Sequence, residues 1–273
     1  MGVLNVTPDS FSDGGVFLQA DAATRHALQM LADGADIIDI GGQSTRPPGN
    51  AYGEGAAYVS IDDELRRVLP VINFLVAEVP NVLISIDTTK AEVARRAIDS
   101  GATIINDVSA GTSDGMMFET ARELNAPIIL MHGYGPEFTK PKIEEYHYED
   151  VSNEVLIWLQ GRIRSAQEAG IKMILADIGF GFAKKNEDNL RLLQELAAFK
   201  TTGIPFVLGV SRKSTIGKLL GGLPPEERMI GSIAAAVYGA MKGAKIIRTH
   251  DVKETVDAMK VVDALVMGSS QKI

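Results

Sequence analysis

The sequence predicts a single-domain α/β protein that folds as a (β/α)8 barrel, the TIM-barrel architecture. Eight short, continuously apolar runs alternate with eight segments of helical periodicity, and such runs are typical of parallel strands covered on both faces. The 273 residues divide into eight units of about 34 residues each, close to the usual size of this fold. An open, doubly wound sheet has the same local pattern, but eight units without a linker-like stretch favour the closed barrel.

Each element is predicted from its own apolar spacing. The strands, rich in β-branched residues, are predicted at 3–6, 37–40, 82–86, 103–105, 127–131, 173–176, 205–210 and 245–247. The helices are predicted at 21–33, 61–79, 90–100, 113–124, 150–169, 188–200, 226–242 and 251–267. The two longest irregular stretches, 7–20 and 41–60, both follow strands, so we expect them to be loops at the catalytic face.

The composition excludes several classes of function. The chain contains no cysteine, which excludes disulfides, zinc–thiolate sites, iron–sulfur clusters and thiol nucleophiles. Its 27 basic and 35 acidic residues give a net charge of −8, which argues against general nucleic-acid binding. A small anionic ligand remains compatible with this charge, because locally clustered cations can oppose the net value.

The sequence carries neither a secretory signal nor an apolar run of the ~20 residues that a membrane span needs. We therefore expect no membrane partner. We expect a cytoplasmic protein, or a mitochondrial one if the source is eukaryotic.

Polar side chains stand at the C-terminal end of nearly every predicted strand. In a barrel these strand ends surround one pocket, where active sites are found. The residues are Asn5, Asp39 with Thr45 and Arg46 beyond it, Asp87, Asn106, His132, Asp177, Lys213, Arg248 and His250. The sequence therefore predicts one ring of functional groups.

The ring has two chemical halves. Asp87, Asn106 and Asp177 suit a flat heterocycle with amidine-like N–H donors, since one carboxylate can pair with two adjacent N–H groups. The other half suits a phosphate or diphosphate and comprises Arg46, Lys213, Arg248, His250, Thr45 and Asn5. A dedicated metal-ligand spacing is absent, but Mg²⁺ on a diphosphate needs only one or two protein oxygens, such as that of Asn5 or of a loop aspartate.

The short acceptor residues also have structural interpretations. Asp87 can cap the following helix, and Asp177 can form an Asx-turn. Asn106 and Asp107 can together form a turn. Asp39 is interpreted as structural rather than functional.

The cations have structural interpretations too. Arg248 and His250 alternate along one strand end and can belong to a structural ion pair. Lys213 can be a solvated lysine, although a cation at a helix N-terminus is unfavourable unless an anion lies nearby, which favours a functional role. His132 is left open.

Two long motifs resemble the signatures of a known family. Residues 2–15 read GVLNVTPDSFSDGG, and residues 36–47 read DIIDIGGQSTRP. Shorter motifs follow in the family's order: SIDT at 85–88, INDV at 105–108, DIGFG at 177–181, SRKS at 211–214 and RTHDV at 248–252. Together they span nearly the whole chain and resemble the dihydropteroate synthase family of folate biosynthesis.

The resemblance implies an enzyme with two small-molecule substrates. A member of this family condenses 6-hydroxymethyl-7,8-dihydropterin diphosphate with 4-aminobenzoate, giving 7,8-dihydropteroate and diphosphate, with Mg²⁺ as cofactor. Sulfonamides, which mimic 4-aminobenzoate, are expected to compete. A homodimer through helices late in the barrel is expected as well. We expect diphosphate to depart in an SN1-like step, because an electron-rich dihydropterin can delocalise the resulting cation.

The resemblance also implies roles for individual residues. The pterin ring is assigned to Asp87, Asn106, Met131, Asp177, Lys213 and Arg248. The diphosphate is assigned to Asn5, Thr45, Arg46, Arg248 and His250, with Asn5 also contacting Mg²⁺. The 4-aminobenzoate is assigned to Phe11, Pro47 and Ser214. The catalytic residues are expected to be Asp13, Arg46, Lys213 and Arg248, with Asp13 pairing with Arg46 when their loops close.

Some features depart from the family pattern. Ile178 stands where proline is usual, residues 133–136 differ after His132, and Gln43 replaces a glutamate common in bacterial members. The first motif begins almost at residue 1, whereas family members carry further residues before it. We therefore expect the barrel of residues 1–273 to be truncated at its N-terminus, or excised from a longer chain fused to other folate-pathway enzymes.

Two other functions are compatible with the fold. A pterin-binding methyltransfer domain shares the pterin acceptors but is expected to lack the first motif and the SRKS motif, and both are present. A catalytically idle barrel that binds a partner is expected to have lost its anion-site residues, which are intact here.

Overall fold

The computed structural model describes residues 1–6, 16–44, 59–133 and 146–267. In this part of the chain eight parallel strands form one sheet in consecutive order. The strands are β1 (Gly2–Asn5), β2 (Ile37–Gly41), β3 (Leu83–Asp87), β4 (Ile104–Asp107), β5 (Ile128–Met131), β6 (Ile174–Asp177), β7 (Phe206–Leu208) and β8 (Ile246–Ile247). A parallel bridge joins Gly2 to Thr249 and closes the sheet. The predicted (β/α)8 barrel is therefore confirmed, and the open doubly wound sheet is wrong.

Helices follow the strands and cover the outside of the barrel. They are α1 (Val16–Ala32), α2 (Ile61–Glu78), α3 (Ala91–Asp99), α4 (Met117–Glu123), α5 (Val151–Glu168), α6 (Asn186–Gln194), α7 (Ser214–Leu219), α8 (Met229–Lys242) and α9 (Val252–Met267). The described residues include two 3₁₀ segments, at Leu196–Thr202 and Pro225–Glu227. None of the helices in the described ranges is long and apolar enough to cross a membrane.

The largest differences from the predicted elements occur where helices begin or break. The predicted helix 188–200 is α6 followed by a 3₁₀ segment, and the predicted helix 226–242 begins only at Met229. The prediction missed α7 as an element with its own bounds, since six residues are too few for a helical period to show. Part of the predicted loop 7–20 belongs to α1.

Side-chain alternation along the strands delivers the polar residues to the barrel interior. The inward-facing residues near the start of the strands form an apolar cluster: Met1, Ile37, Ile104, Ile129, Leu175, Val207 and Ile246. Because a strand has a side-chain period of two, the residue two positions further along also points inward, closer to the mouth. Those residues are Val3, Asp39, Asn106, Met131, Asp177, Gly209 and Arg248.

Strand register then aligns four of the strand ends. Asn5 of β1 pairs with Gly41 of β2, and Gly41 pairs with Asp87 of β3. Asp87 in turn pairs with Asn106 of β4. These positions therefore form one row across neighbouring strands at the C-terminal mouth.

Candidate active site

A cavity opens at the C-terminal mouth of the barrel. Its lining comprises Asp87, Asn106, Val108, Met131, Asp177, Phe180, Phe182, Gly209, Lys213 and Arg248. All six residues assigned to a pterin ring in the sequence are among them. The barrel thus brings to one space side chains from β3, β4, β5 and β6 and from the segments that follow β7 and β8.

Two carboxylates share the guanidinium of Arg248 at this cavity. The Arg248 Nε donates to Asp39 Oδ2 at 2.6 Å, and its Nη2 donates to Asp87 Oδ2 at 2.9 Å. Burial, followed by repulsion from Asp39, raises the pKa of Asp87 to about 7. Within the described residues, the buried Asp87 Oδ1 has no hydrogen-bond partner. An N–H donor from a ligand would satisfy this oxygen.

The ion-pair interpretation of Arg248 is therefore correct in geometry, and its partners belong to the site. Burial lowers the pKa of Arg248, but the carboxylates of Asp39 and Asp87 outweigh burial and raise it overall. Asp39 is fully buried, and it also accepts from the Asn106 Nδ2 at 3.1 and 3.3 Å through its two oxygens. Interpreted from the sequence as structural, Asp39 thus supports two side chains that line the cavity.

The turn and helix-cap interpretations hold for Asp107 but fail for Asn106 and Asp87. Asp107 makes the predicted turn, because its carboxylate accepts from the Ser109 N–H at 2.8 Å and the Gly111 N–H at 2.6 Å. Asn106 beside it faces the cavity instead. Asp87 caps no helix, since the residue at the N-cap of α3 is Lys90.

Asp177 combines both interpretations. Its Oδ1 accepts from the Gly179 N–H at 2.7 Å, which is the predicted Asx-turn, and its side chain also lines the cavity. Burial raises the pKa of Asp177, although the Gly179 N–H opposes that shift. Ile178, the departure from the family pattern, is 1% exposed and lies in the apolar core. The turn therefore keeps its carboxylate aimed at the cavity with isoleucine in this position.

The segments after β7 and β8 carry the described cations of the site. Lys213 is the N-cap residue of α7, and Ser214 is the first residue of that helix. The Lys213 Nζ lies 3.8 Å from the centre of the Phe182 ring, a cation–π contact. The His250 N–H and Nδ1 lie 3.1 and 3.0 Å from the Ser211 Oγ, which joins the two segments.

Asn5 offers an amide oxygen at the mouth of the barrel. A Cβ on Gly41 would lie 3.8 Å from Asn5 Oδ1 and 3.5 Å from Asp87 Cβ, so the missing side chain leaves space between them. No cluster of three or more His, Cys, Asp or Glu side chains suited to a metal occurs in the described ranges. A single hard oxygen still fits Mg²⁺, which takes its other ligands from water and phosphate.

Five of the assigned residues lie outside the described part of the chain. Phe11 and Pro47 are assigned to 4-aminobenzoate, Asp13 and Arg46 to the expected loop ion pair, and Thr45 and Arg46 to the diphosphate. Their assignments stay predictions.

Sequence reasoning missed two buried lysine networks beside the site. The Lys184 Nζ lies 2.8 Å from the Nδ1 of His132, for which the sequence allows either a structural or a functional role. The Lys90 Nζ lies 2.5 Å from both Glu64 Oε2 and Gln43 Oε1. A motif reports residue identity but not burial. The sequence therefore indicates only that Gln43 lies within one motif and that Lys184 lies three residues after another.

Known proteins are similar to this chain in both sequence and fold. The family model described as pterin binding enzyme matches residues 1–250. A dihydropteroate synthase of Escherichia coli strain K12 is 46% identical over 274 residues, covering 100% of this chain and 93% of the relative.

Two solved structures are similar over most of their length. The Xanthomonas albilineans dihydropteroate synthase with 4-aminobenzoic acid is 44% identical with a TM-score of 0.87, covering 97% of this chain and 92% of that one. The same enzyme in complex with 7,8-dihydropteroate is 42% identical with a TM-score of 0.83 at the same coverage. The resemblance seen in the motifs is thereby confirmed: this chain belongs to the dihydropteroate synthase family of pterin-binding enzymes, transferases that make dihydropteroate.

Proposed function

We propose that the cavity at the barrel mouth binds 6-hydroxymethyl-7,8-dihydropterin diphosphate and condenses it with 4-aminobenzoate. One observation carries the assignment of the ring: Asp87 lines the cavity together with Asn106 and Asp177, and one of its buried carboxylate oxygens has no hydrogen-bond partner in the described residues. Adjacent N–H donors on a pterin ring match such acceptors, because each carboxylate can accept two parallel hydrogen bonds.

The cations that line the cavity suit the leaving group. Lys213 and Arg248 line the cavity, and His250 lies two residues beyond Arg248. Positive charge held in place before the reaction stabilises the negative charge that develops on departing phosphate oxygens. Arg248 is well suited to this task because two carboxylates hold its guanidinium in a fixed position.

The chemistry exchanges a C–O bond for a C–N bond. The bond between the pterin methylene carbon and the diphosphate oxygen breaks, and its electron pair leaves with the diphosphate. The nitrogen of 4-aminobenzoate then bonds to the methylene carbon and releases a proton to the solvent or the diphosphate. We propose that cleavage comes first, because the dihydropterin delocalises the cation.

Mg²⁺ is proposed as the cofactor, held by Asn5 together with the diphosphate and water. When bound, it would supply further positive charge to the leaving group. The 4-aminobenzoate carboxylate is proposed to meet Ser214 at the start of α7, where Ser214 is partly exposed. Sulfonamides, as mimics of this substrate, are expected to compete with it there.

Calorimetry of pterin diphosphate binding tests the site. Lys213→Ala is expected to remove measurable binding while the far-UV circular dichroism stays that of the wild type. Lys218→Ala is the matched control, because Lys218 lies on the same short helix and is exposed. Unchanged affinity in Lys213→Ala would refute its role.

Isotope experiments test the order of the two steps. Positional isotope exchange within the diphosphate of recovered substrate is expected if C–O cleavage is reversible and precedes attack. Second-order kinetics with full inversion at a chirally deuterated methylene would contradict cleavage first.

We propose that two copies of the chain pair through α8 and α9. These helices expose large apolar side chains: Ile230 is 78% exposed, Met241 65%, Val261 60% and Leu265 78%. Exposed apolar groups concentrated in this way are typical of an interaction surface. Sedimentation equilibrium is expected to give twice the chain mass, and a monomer at micromolar concentration would contradict the proposal. Fusion to other folate-pathway enzymes and a cytoplasmic location stay predictions.

A further inference from the structure

Lys184 places its side-chain nitrogen in the interior, and within the described residues its hydrogen-bond partners include no carboxylate. The residue is 2% exposed. Its Nζ lies 2.8 Å from His132 Nδ1, 2.9 Å from the Phe182 carbonyl oxygen and 3.0 Å from the Gly179 carbonyl oxygen. The His132 carbonyl oxygen is more distant, at 3.4 Å. A buried charge is costly unless hydrogen bonds compensate it, so this arrangement needs an explanation.

Two backbone carbonyl oxygens accept from the Lys184 Nζ, and His132 Nδ1 is its third close partner. A lysine ammonium has three N–H donors, one for each of these partners. The ammonium form therefore satisfies all three, provided that His132 accepts at Nδ1 and carries its proton on Nε2. Burial lowers the pKa of His132 to about 2, which keeps this ring neutral. Burial also lowers the pKa of Lys184, to about 7, so the three acceptors matter for holding its proton.

One of these acceptors, the Gly179 carbonyl oxygen, belongs to the residue that also binds Asp177, a carboxylate proposed to bind the pterin. The Gly179 carbonyl accepts from Lys184, while the Gly179 N–H donates to Asp177 Oδ1 at 2.7 Å. Gly179 has a φ of +67°, and a Cβ there would lie 1.7 Å from the His132 carbonyl oxygen. The turn that aims Asp177 is thus pressed against the residue after β5, and Lys184 binds both sides of that contact.

A second acceptor leads to Lys213. The Phe182 carbonyl accepts from Lys184, and the Phe182 ring lies beneath the Lys213 Nζ at 3.8 Å. Fixing the Phe182 backbone therefore fixes the surface on which Lys213 rests. Lys184 is not itself part of the cavity lining, so it reaches the ligand only through these neighbours.

We propose that Lys184 is a positioning residue, whose ammonium fastens the segment 179–183 to His132 and so sets the orientation of Asp177 and Lys213 toward the pterin ring. The proposal rests on the proposed function, since it concerns how that site is held in shape. It predicts a loss of pterin affinity that does not extend to the second substrate.

Calorimetry with 6-hydroxymethylpterin, which lacks the diphosphate, tests this role. Lys184→Met replaces the ammonium by an uncharged group of similar length. We expect the pterin Kd to rise about tenfold or more, the size of effect seen when a side chain that orients a metal ligand is removed. Lys185→Met is the matched control, because Lys185 is the neighbouring lysine and is not among the residues that line the cavity; its Kd is expected to match the wild type. In steady-state assays the KM for 4-aminobenzoate is expected to be unchanged in both variants.

The outcomes separate the two levels of the proposal. A wild-type protein that fails to bind the pterin would overturn the proposed function itself. Binding by the wild type and equal binding by folded Lys184→Met would overturn only the positioning role. A rise in the KM for 4-aminobenzoate equal to the rise in pterin Kd would also overturn it, because it would indicate general damage.

A second variant covers the case in which Lys184→Met does not fold. His132→Phe removes the imidazole acceptor but keeps an aromatic ring against Trp158, whose ring centre lies 4.9 Å from that of His132. We expect this variant to weaken pterin binding as well. An unchanged pterin Kd in folded His132→Phe would overturn the proposal.

Discussion

Pterin affinity is expected to depend on pH through Asp87. This carboxylate is buried, and it shares the Arg248 guanidinium with a second buried carboxylate, Asp39. Burial followed by repulsion from Asp39 raises its pKa to about 7, so the ligand-free protein holds a proton there in mildly acidic solution. A carboxylate accepts two N–H groups only when it is ionised. Lowering the pH below 7 should therefore weaken binding of the pterin ring.

The size of the effect follows from the fraction of ionised Asp87. With a pKa of about 7, roughly nine-tenths of Asp87 is ionised at pH 8 and roughly one-tenth at pH 6. If only the ionised form binds, the Kd rises about tenfold between these two pH values, equivalent to about 1.4 kcal/mol. Loss of this proton opposes folding: since the folded pKa of Asp87 exceeds the unfolded one, this group's contribution to stability decreases as pH rises from about 4 to 7.

Calorimetric titration with 6-hydroxymethylpterin at pH 6, 7 and 8 measures this dependence. A ligand without a diphosphate keeps the titration of phosphate and of diphosphate-binding groups out of the comparison. Asp87→Asn is the control, because its amide does not titrate, and its weaker affinity is expected to vary little with pH. A slope that persists in Asp87→Asn would refute the reasoning and transfer the dependence to another buried group, either Asp177, whose pKa burial raises, or Lys184, whose pKa burial lowers to about 7.

Three other changes have expected outcomes. Lys90→Met leaves the buried Glu64 carboxylate without its 2.5 Å ion pair. We expect urea titration to show a loss of about 3–5 kcal/mol in the free energy of unfolding. A loss below about 1 kcal/mol would contradict an important contribution of this ion pair to stability. Gly179→Ala places a Cβ 1.7 Å from the His132 carbonyl oxygen and should weaken pterin binding far more than Gly203→Ala, which has a similar φ of +70° and open space around it; equal effects would contradict the crowding argument. Chelation of Mg²⁺ should weaken binding of pterin diphosphate but not of 6-hydroxymethylpterin, and calorimetry showing equal changes would refute a contact through the diphosphate.

The fold was predictable because its signals are local and repeated. Each strand is a continuous apolar run, and each long helix has its own period, so the barrel could be inferred without knowledge of any contact. The short helix α7 lies below the length at which periodicity is visible. The 3₁₀ segment after α6 continues an apolar pattern that a longer helix would share.

The sequence predicts which residues line the site but not which side chains contact one another. Asp87 and Asp177 are the last residues of their strands, and Asn106 is the last but one of β4. Parallel strands in a barrel end around one mouth, so the meeting of these residues follows from topology. The ion pair between Asp39 and Arg248 joins two residues that lie 209 positions apart in the sequence. The partners of Lys184 depend on the packing of one loop against the end of β5. Such long-range contacts leave no periodic signal in a single sequence.

The most direct test of the central claim is a product assay. The protein is incubated with 6-hydroxymethyl-7,8-dihydropterin diphosphate, labelled 4-aminobenzoate and Mg²⁺, and labelled 7,8-dihydropteroate is separated and quantified. We predict labelled 7,8-dihydropteroate and diphosphate in equal amounts, with the reaction lost in Asp87→Asn. The absence of labelled product from the wild-type protein, both with and without Mg²⁺, would contradict the claim that this cavity joins the two substrates.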